Sequence, residues 1–275
     1  MDKITLLVVF DPTSEEQPAL LRAVNLLAAR RATVHLFAAI HEDIDPALNQ
    51  SVEIARRLEA TRELMLAQAG PLVTPEIELV PELEWAKDWY DAVLRASRRI
   101  GPDAIFKRTH CHTVRERTMK RTSDWTLLRE SGVPLLLARE GYVNDQPTVL
   151  AAVDLQSPKR SYQALNQQVI DFAREVLDIG LAEVHFINAY RDARLAPDRE
   201  LMKDVTGVDD AHVHIHRGEP ETVIVQKARS LNASLVVMGH SSRTGLTAAL
   251  AGNTVEKVLD QLQCDVLSMP KLDDA

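Results

Sequence analysis

The chain has 275 residues, a length that suits either one large domain or two of ordinary size. It carries 32 Lys and Arg against 40 Asp and Glu, and the net charge of −8 argues against nucleic-acid binding and against attachment to an anionic membrane. Its two cysteines, Cys111 and Cys264, are too few for a disulfide framework or a four-cysteine zinc site. The sequence shows no apolar run of membrane-spanning length and no signal peptide, so it predicts a cytoplasmic protein.

Four sequence segments recur in the same order, which indicates two copies of one domain. The segments of the first copy and their counterparts in the second are 4–11 and 148–154, 32–40 and 182–190, 102–110 and 233–241, and 133–138 and 264–269. In the first pair, each apolar run ends in an aspartate, Asp11 or Asp154. The repeat is far longer than that of a solenoid. We therefore predict two domains, residues 1–143 and 144–275, separated near the polar stretch 139–148.

Within each copy, apolar strands alternate with segments of helical periodicity. The elements predicted for the first copy are strand 4–11, helix 19–31, strand 32–40, helix 53–68, strand 76–80, helix 88–100, and strands 102–110 and 133–138. Those predicted for the second copy are strand 148–154, helix 164–179, strands 182–190 and 212–216, helix 221–231, strand 233–239, helix 255–259 and strand 264–269. This alternation predicts an α/β fold with right-handed crossovers and parallel sheets. Ligands of such sheets bind beyond the carboxyl ends of strands, which points to Asp11, Asp154 and the turns after Phe106 and Met238.

The segment 235–259 is the most informative part of the chain. A buried strand runs into Gly239, a loop of small residues follows, and Gly252, Asn253 and Thr254 precede a helix. Glycine turns let backbone N–H groups approach phosphate oxygens, and Asn253 or Thr254 is suited to cap the helix. The segment is neither a Walker A loop nor a GxGxxG motif. The residues alone leave two interpretations open, a phosphate cradle or glycines that only serve tight turns.

The spacing of this segment resembles the signature of the universal stress protein family. That signature is a glycine, two residues, a glycine, nine residues, then a glycine followed by serine or threonine. Gly239 and Gly252 match it, whereas Ser242 and Asn253 depart from it at the other two positions. The surrounding segments 243–259 and 260–267, the opening of the first copy and residues 122–128 extend the resemblance over essentially the whole chain.

The resemblance implies two tandem doubly wound domains, each a five-stranded parallel sheet of order 3-2-1-4-5 with flanking helices. Some members of the family bind ATP at the carboxyl ends of strands 1 and 4 and others do not, so the resemblance makes the second domain a candidate site for ATP or another adenine nucleotide with Mg²⁺. The implied binding residues are Ala152 and Ala189 at the adenine, Asp154, Met238 and Gly239 at the base and ribose, Ser242, Gly252, Asn253 and Thr254 around the phosphates, and Arg243 beside them. A serine in place of the second glycine costs of order 1 kcal/mol if that position needs a positive φ.

The first copy lacks this signature, so we do not expect it to bind ATP. The glycine after its fourth strand is read as Lys107, and the later pair as Arg121 and Thr122. A basic rim takes its place, made of Lys107, Arg108, Arg115, Arg117, Lys120 and Arg121. This rim either holds a different anion or is a solvated basic face, and the second interpretation is favoured.

Two histidine clusters are candidate metal sites. One is His110-Cys111-His112, and the other is the alternating run of His212, His214 and His216 on one strand face. Because no acidic or cysteine partner is spaced to complete either cluster, we predict no metal site. No nucleophile–base or metal-hydrolase motif is present, so we predict no catalytic residues and no enzyme. Slow ATP turnover would be compatible with the family resemblance, but no residue of the sequence indicates it.

Three functions remain open. The first is a stress-response protein whose second domain senses an adenine nucleotide and so changes a surface for a protein partner. The second is a scaffold that binds no nucleotide, and the third is a carrier of another small ligand; Ser242 and Asn253 favour these two. No nucleic-acid or membrane partner is expected. We also expect an internal pseudo-dimer through strands 133–138 and 264–269, with further homodimerisation open.

Overall fold

The structure is a computed structural model that describes residues 3–27, 30–109, 123–141, 147–240 and 254–271. The chain divides into two compact units. Unit 1 is Met1–Thr109 with Leu135–Glu140, and unit 2 is His110–Pro134 with Gly141–Ala275.

Unit 1 is a five-stranded parallel sheet with helices, within the described residues. Its elements are β1 Ile4–Val9, α1 Pro18–Leu27, β2 Ala32–Ile40, α2 Gln50–Ala69, β3 Ile77–Trp85, α3 Trp89–Ile100, β4 Ala104–Arg108 and β5 Leu135–Ala138. The strand order is β3-β2-β1-β4-β5, and each neighbouring pair is parallel. This is the predicted order 3-2-1-4-5.

Unit 2 repeats that topology. Its elements are α4 Ser123–Glu130, β6 Thr148–Val153, α5 Arg160–Asp178, β7 Glu183–Tyr190, α6 Arg199–Thr206, β8 Val213–Arg217, α7 Pro220–Ser230, β9 Leu235–His240, α8 Thr254–Leu259 and β10 Asp265–Pro270. The strand order is β8-β7-β6-β9-β10, again with parallel pairs. The predicted fold class is therefore confirmed for both copies.

The apolar runs form the central strands because both faces of a doubly wound sheet are covered by helices. Leu7 in β1 and Leu150 in β6 have no exposed surface, and Phe37 and Phe186 fill the space between the neighbouring strands and the helices. The core is otherwise aliphatic, as the low aromatic content of 4% predicts.

Three elements differ from the sequence prediction. Strand β3 continues through Pro81 to Trp85, which is compatible with proline because β3 stands last in the strand order of unit 1. Helix α4 lies in a stretch for which no helix was predicted, and it belongs to unit 2. Helix α6 was also missed; the Asp198 side chain caps it by accepting a hydrogen bond from the backbone N–H of Glu200, at 2.9 Å.

Among the described residues, every helix is too short or too polar to cross a membrane.

Candidate functional site

The candidate site lies at the carboxyl ends of β6 and β9, the two strands where the order of unit 2 reverses direction. The parallel register sets Ala152 beside Met238 and Val153 beside Asn188. Asp154 directly follows β6, and Ala189 is the next residue on β7. The structure therefore brings Ala152, Asp154, Ala189, Met238 and Gly239 to one edge of the sheet.

The backbone that carries Asp154 is held by two asparagine side chains. Its N–H donates to Asn166 Oδ1 at 2.9 Å, and Asn166 Nδ2 donates back to the Asp154 carbonyl oxygen at 2.6 Å. The next N–H, that of Leu155, donates to Oδ1 of the fully buried Asn188 at 3.0 Å. Sequence reasoning did not identify either asparagine, because Asn166 lies within α5 and Asn188 within β7, and neither is a neighbour of Asp154 in the sequence.

Asp154 is exposed, but protein atoms surround part of its carboxyl group. Burial raises the pKa of this group, and a hydrogen bond from the backbone of Gln156 acts in the opposite direction. No ion pair reaches Asp154 from the described part of the chain. The carboxylate is thus available at the strand edge.

Gly239 and Met238 have packing roles at this edge. Met238 is buried. A Cβ atom at position 239 would stand 2.4 Å from Cγ of Leu165, a buried side chain of α5. The glycine is therefore required for α5 to pack against β9, a role that the family resemblance did not include.

The other predicted phosphate residues divide into two groups. Thr254 is the first residue of α8 and is half-buried. Ser242, Arg243, Gly252 and Asn253 lie outside the described residues.

His240 is the last residue of β9. It is buried, and its Nδ1 lies 3.2 Å from the hydroxyl oxygen of Ser268 on β10. Burial lowers the pKa of His240 to about 4, against a hydrogen bond to the Met269 backbone. This contact with β10 makes it a structural side chain.

In unit 1 the register corrects one sequence assignment. Leu6 pairs with Ala104, and Val149 pairs with Leu235. Since Asp11 and Asp154 follow these strands at the same distance, the counterpart of Gly239 is Arg108, whereas Lys107 corresponds to Met238. Assigning Lys107 to the glycine position was wrong by one residue, and the pairing of segment 102–110 with 233–241 already sets Arg108 opposite Gly239.

Arg108 closes the unit 1 counterpart of the candidate site. Its guanidinium forms ion pairs with Asp11, at 2.7 Å, and with Glu140. Burial raises the pKa of the Asp11 carboxyl, but hydrogen bonds from Thr13 and the Arg108 guanidinium outweigh it, and the net pKa is lowered. The carboxylate that is open in unit 2 is bound by the chain's own cation in unit 1.

Lys107 is also used within the protein. Its Nζ donates to the Arg108 carbonyl oxygen at 2.6 Å and lies 4.8 Å from the centroid of the Trp89 ring. Lys107 and Arg108, two members of the predicted basic rim, thus bind partners inside unit 1. They form neither a free anion site nor a solvated basic face. The remaining members, Arg115, Arg117, Lys120 and Arg121, lie outside the described residues.

Replacing Arg108 by alanine is expected to lower the free energy of unfolding at pH 7 by about 2 kcal/mol, because two carboxylates lose their partner. The loss should shrink below about pH 4, since the stabilisation linked to the lowered pKa of Asp11 disappears as that carboxyl is protonated. Denaturant unfolding at pH 7 and at pH 3 measures both. Arg95→Ala is the matched control, because its pair with Glu84 is largely exposed and should contribute less than about 1 kcal/mol. Equal effects of the two variants would contradict the assignment.

The structure contradicts the statement that no acidic partner is available to the strand histidines. Glu183 and His185 on β7 lie beside His212, and one ligand atom from each falls within 4.8 Å of the others. The residue pattern along one strand does not indicate this group, because its members belong to two neighbouring strands. The other cluster, His110-Cys111-His112, lies outside the described residues.

These features define a tandem pair of doubly wound α/β units. In unit 1 an arginine of the chain pairs with the strand-end aspartate, and in unit 2 none of the described residues does so. The chain belongs to the universal stress protein family, whose sequence profile matches residues 5–139 and 148–270. The family resemblance predicted from the sequence is therefore confirmed, in two copies.

Relatives and solved structures agree with this assignment over nearly the full length. Universal stress protein E of Photorhabdus laumondii is 29% identical over 294 residues, covering 96% of this chain and 94% of that protein. Universal stress protein E of Escherichia coli is 29% identical, covering 95% and 92%. A Pseudomonas aeruginosa protein of unknown function has a TM-score of 0.73 at 25% identity, covering 98% and 93%. A universal stress protein from Archaeoglobus fulgidus shares the fold, with a TM-score of 0.73 at 18% identity, covering 98% and 97%.

Proposed function

We propose that unit 2 binds an adenine nucleotide, ATP with Mg²⁺ in the first instance, at the carboxyl ends of β6 and β9. The chain then acts as a stress-response protein that senses this ligand and passes the signal to a protein partner, and it is not an enzyme. One observation carries the proposal: within the described residues Asp154 has no ion pair, whereas its counterpart Asp11 is held by Arg108.

The residues at this edge fit the sugar and base of such a ligand. A carboxylate such as that of Asp154 accepts hydrogen bonds from two neighbouring hydroxyl groups, which is the chemistry a ribose offers. Ala152 and Ala189, both half-buried, set small apolar side chains beside it in the strand register. The two asparagines that hold the backbone of Asp154 and Leu155 keep the carboxylate in position without using its oxygens.

Sensing follows if the ligand prefers one conformation of unit 2. Asp154 and Gly239 lie on elements that α5 connects, because Asn166 bonds the Asp154 backbone and its neighbour Leu165 packs on Gly239. A ligand at Asp154 therefore acts on a helix that also contacts β9. The ligand can shift the equilibrium between the two conformations only by as much as its affinities for them differ. This difference limits the change that it can cause in a partner surface.

The competing function is a scaffold or a carrier of another small ligand. The packing of Leu165 on Gly239 favours a scaffold or carrier, because the Leu165 side chain fills the space that the glycine leaves open. The substitutions Ser242 and Asn253 act in the same direction. These two functions differ from the proposal in one measurable property, the affinity for adenine nucleotides.

Calorimetric titration of the nucleotide-stripped full chain with Mg-ATP, ADP and AMP tests the proposal. We expect one site of micromolar affinity. Asp154→Asn should weaken binding about ten-fold or more, because a hydrogen bond to a charged acceptor is lost. Asp11→Asn is the matched control in the other copy and should leave the affinity unchanged.

Two outcomes contradict the proposal. Absence of heat together with absence of a thermal shift in the unsubstituted protein would favour the scaffold or carrier. A large loss of affinity in the Asp11 variant would show that unit 1 holds the ligand. Thermal unfolding of each variant checks that it is folded before it is titrated.

A further inference from the structure

A group of imidazoles and carboxylates lies on β7 and at the start of β8, away from the strand ends discussed above. Glu183 and His185 belong to β7, and His212 immediately precedes β8. The register pairs Phe186 with Val213, so His185 and His212 stand side by side on neighbouring strands. Their ring centroids are 4.7 Å apart. We call Glu183, His185 and His212 the histidine cluster.

We propose that the histidine cluster binds a divalent late transition-metal ion, with Zn²⁺ as the best-fitting ion. The ligands are Oε1 of Glu183 and Nε2 of each histidine. Two imidazoles and one carboxylate are the ligand set of zinc sites that keep a fourth position for water.

The distances within the cluster suit a tetrahedral ion. Oε1 of Glu183 lies 3.3 Å from Nε2 of His185 and 3.1 Å from Nε2 of His212. Zinc bonds of about 2.0–2.1 Å give a separation of about 3.3 Å between tetrahedral ligand atoms. The two separations that involve Glu183 therefore already suit the ion, and all three ligand atoms lie within 4.8 Å of one another. Glu183, whose side chain is 58% exposed, can rotate to complete the geometry.

Both histidines also use their second ring nitrogen. Nδ1 of His212 lies 2.5 Å from Oδ1 of Asp209, and Nδ1 of His185 lies 3.1 Å from Nε2 of His214. The Asp209 carboxylate keeps Nδ1 of His212 as a hydrogen-bond donor, whereas Nε2, which faces Oε1 of Glu183 at 3.1 Å, binds the ion by giving up its proton. Asp209 therefore directs Nε2 of His212 toward the cluster. His214, from the same strand face, orients the ring of His185.

Unit 1 provides an internal comparison. His35 occupies the place of His185 in the repeat, and its Nδ1 lies 2.5 Å from Oε1 of Glu82. The other oxygen of Glu82 accepts a hydrogen bond from the Arg99 guanidinium at 2.5 Å. A cation of the chain thus already neutralises this carboxylate. His35 is accordingly the matched control for the histidine cluster.

The test is zinc binding by the full chain after treatment with a chelator, measured by competition with a chromogenic chelator and without nucleotide. We expect one Zn²⁺ per chain and no binding of Mg²⁺, which prefers oxygen ligands. Glu183→Gln and His212→Gln should each lower the zinc affinity at least ten-fold. Asp209→Asn should lower it about ten-fold through the loss of orientation, and His35→Gln should leave it unchanged.

Thermal unfolding provides a second measurement. Zn²⁺ should raise the unfolding temperature of the unsubstituted chain but not that of the Glu183→Gln/His212→Gln double variant. These two side chains are exposed or half-buried, so their replacement should not prevent folding. Absence of zinc binding overturns the proposal. Binding that survives in the double variant also overturns it, because the ion would then lie elsewhere.

Discussion

Replacing Gly239 by valine is expected to lower the free energy of unfolding of unit 2 by about 3 kcal/mol. The new Cβ would stand 2.4 Å from Cγ of Leu165 and 2.6 Å from its Cδ2. Leu165 is buried, so its side chain has little space to move away. Denaturant unfolding at pH 7 measures the effect.

Two further variants make this prediction specific. Gly132→Ala is the control, because nothing lies within 4 Å of a Cβ at that position, and it should change stability by less than about 0.5 kcal/mol. In a Leu165→Ala background, Gly239→Val should cost at least about 1 kcal/mol less, since the colliding atoms are gone. Additive effects of Gly239→Val and Leu165→Ala would show that the two positions do not compete for the same space.

Acidification from pH 6.5 to pH 4 should remove about 3 kcal/mol of stability through His240 alone. Burial lowers the pKa of His240 in the folded protein to about 4, from its ordinary value of 6.5. In this range the unfolded chain binds a proton that the folded chain does not, so stability falls as the pH falls. Above about pH 7.5, one unit above the pKa of the unfolded state, the imidazole is neutral in both states and stability no longer changes through His240.

The measurement is the slope of unfolding free energy against pH, compared between the unsubstituted protein and His240→Gln. The variant should show a slope smaller by about 1.4 kcal/mol per pH unit between pH 4 and 6.5. Ser268→Ala is the control, because it removes the neighbour at 3.2 Å but retains the buried histidine, so its slope should match that of the unsubstituted protein. Equal slopes in the protein and in His240→Gln would refute a neutral buried imidazole.

Most of the fold could be predicted because its central strands are apolar on both faces. Runs such as 4–9 and 148–153 stand out without any knowledge of their partners, and their repetition indicates the duplication. Helix α6 was missed because it is only eight residues long and polar on most of its surface. Strand β3 was predicted too short, since a proline normally argues against a strand and its position in the strand order was not known.

The sequence predicted only those residues of the candidate site that stand at the ends of strands. Asp154 is found at its predicted place, but Asn166 and Leu165 act from a helix whose angular position a sequence does not reveal. Taking Lys107 instead of Arg108 as the counterpart of Gly239 was a one-residue error, and in a strand such an error moves a side chain to the opposite face. The pairing of Glu183 with His212 required the register between β7 and β8.

The ion pair between Arg108 and Asp11 has a consequence for how the two units respond to their surroundings. A cation that is part of the chain is always present, so unit 1 has its carboxylate neutralised at any concentration of solutes. A ligand that binds only folded unit 2 adds stability that grows with the logarithm of its free concentration. Under the proposed function, nucleotide depletion would therefore lower the stability of unit 2 and leave that of unit 1 unchanged. Duplication would thus have produced one constitutive copy and one copy whose persistence in the cell reports its ligand.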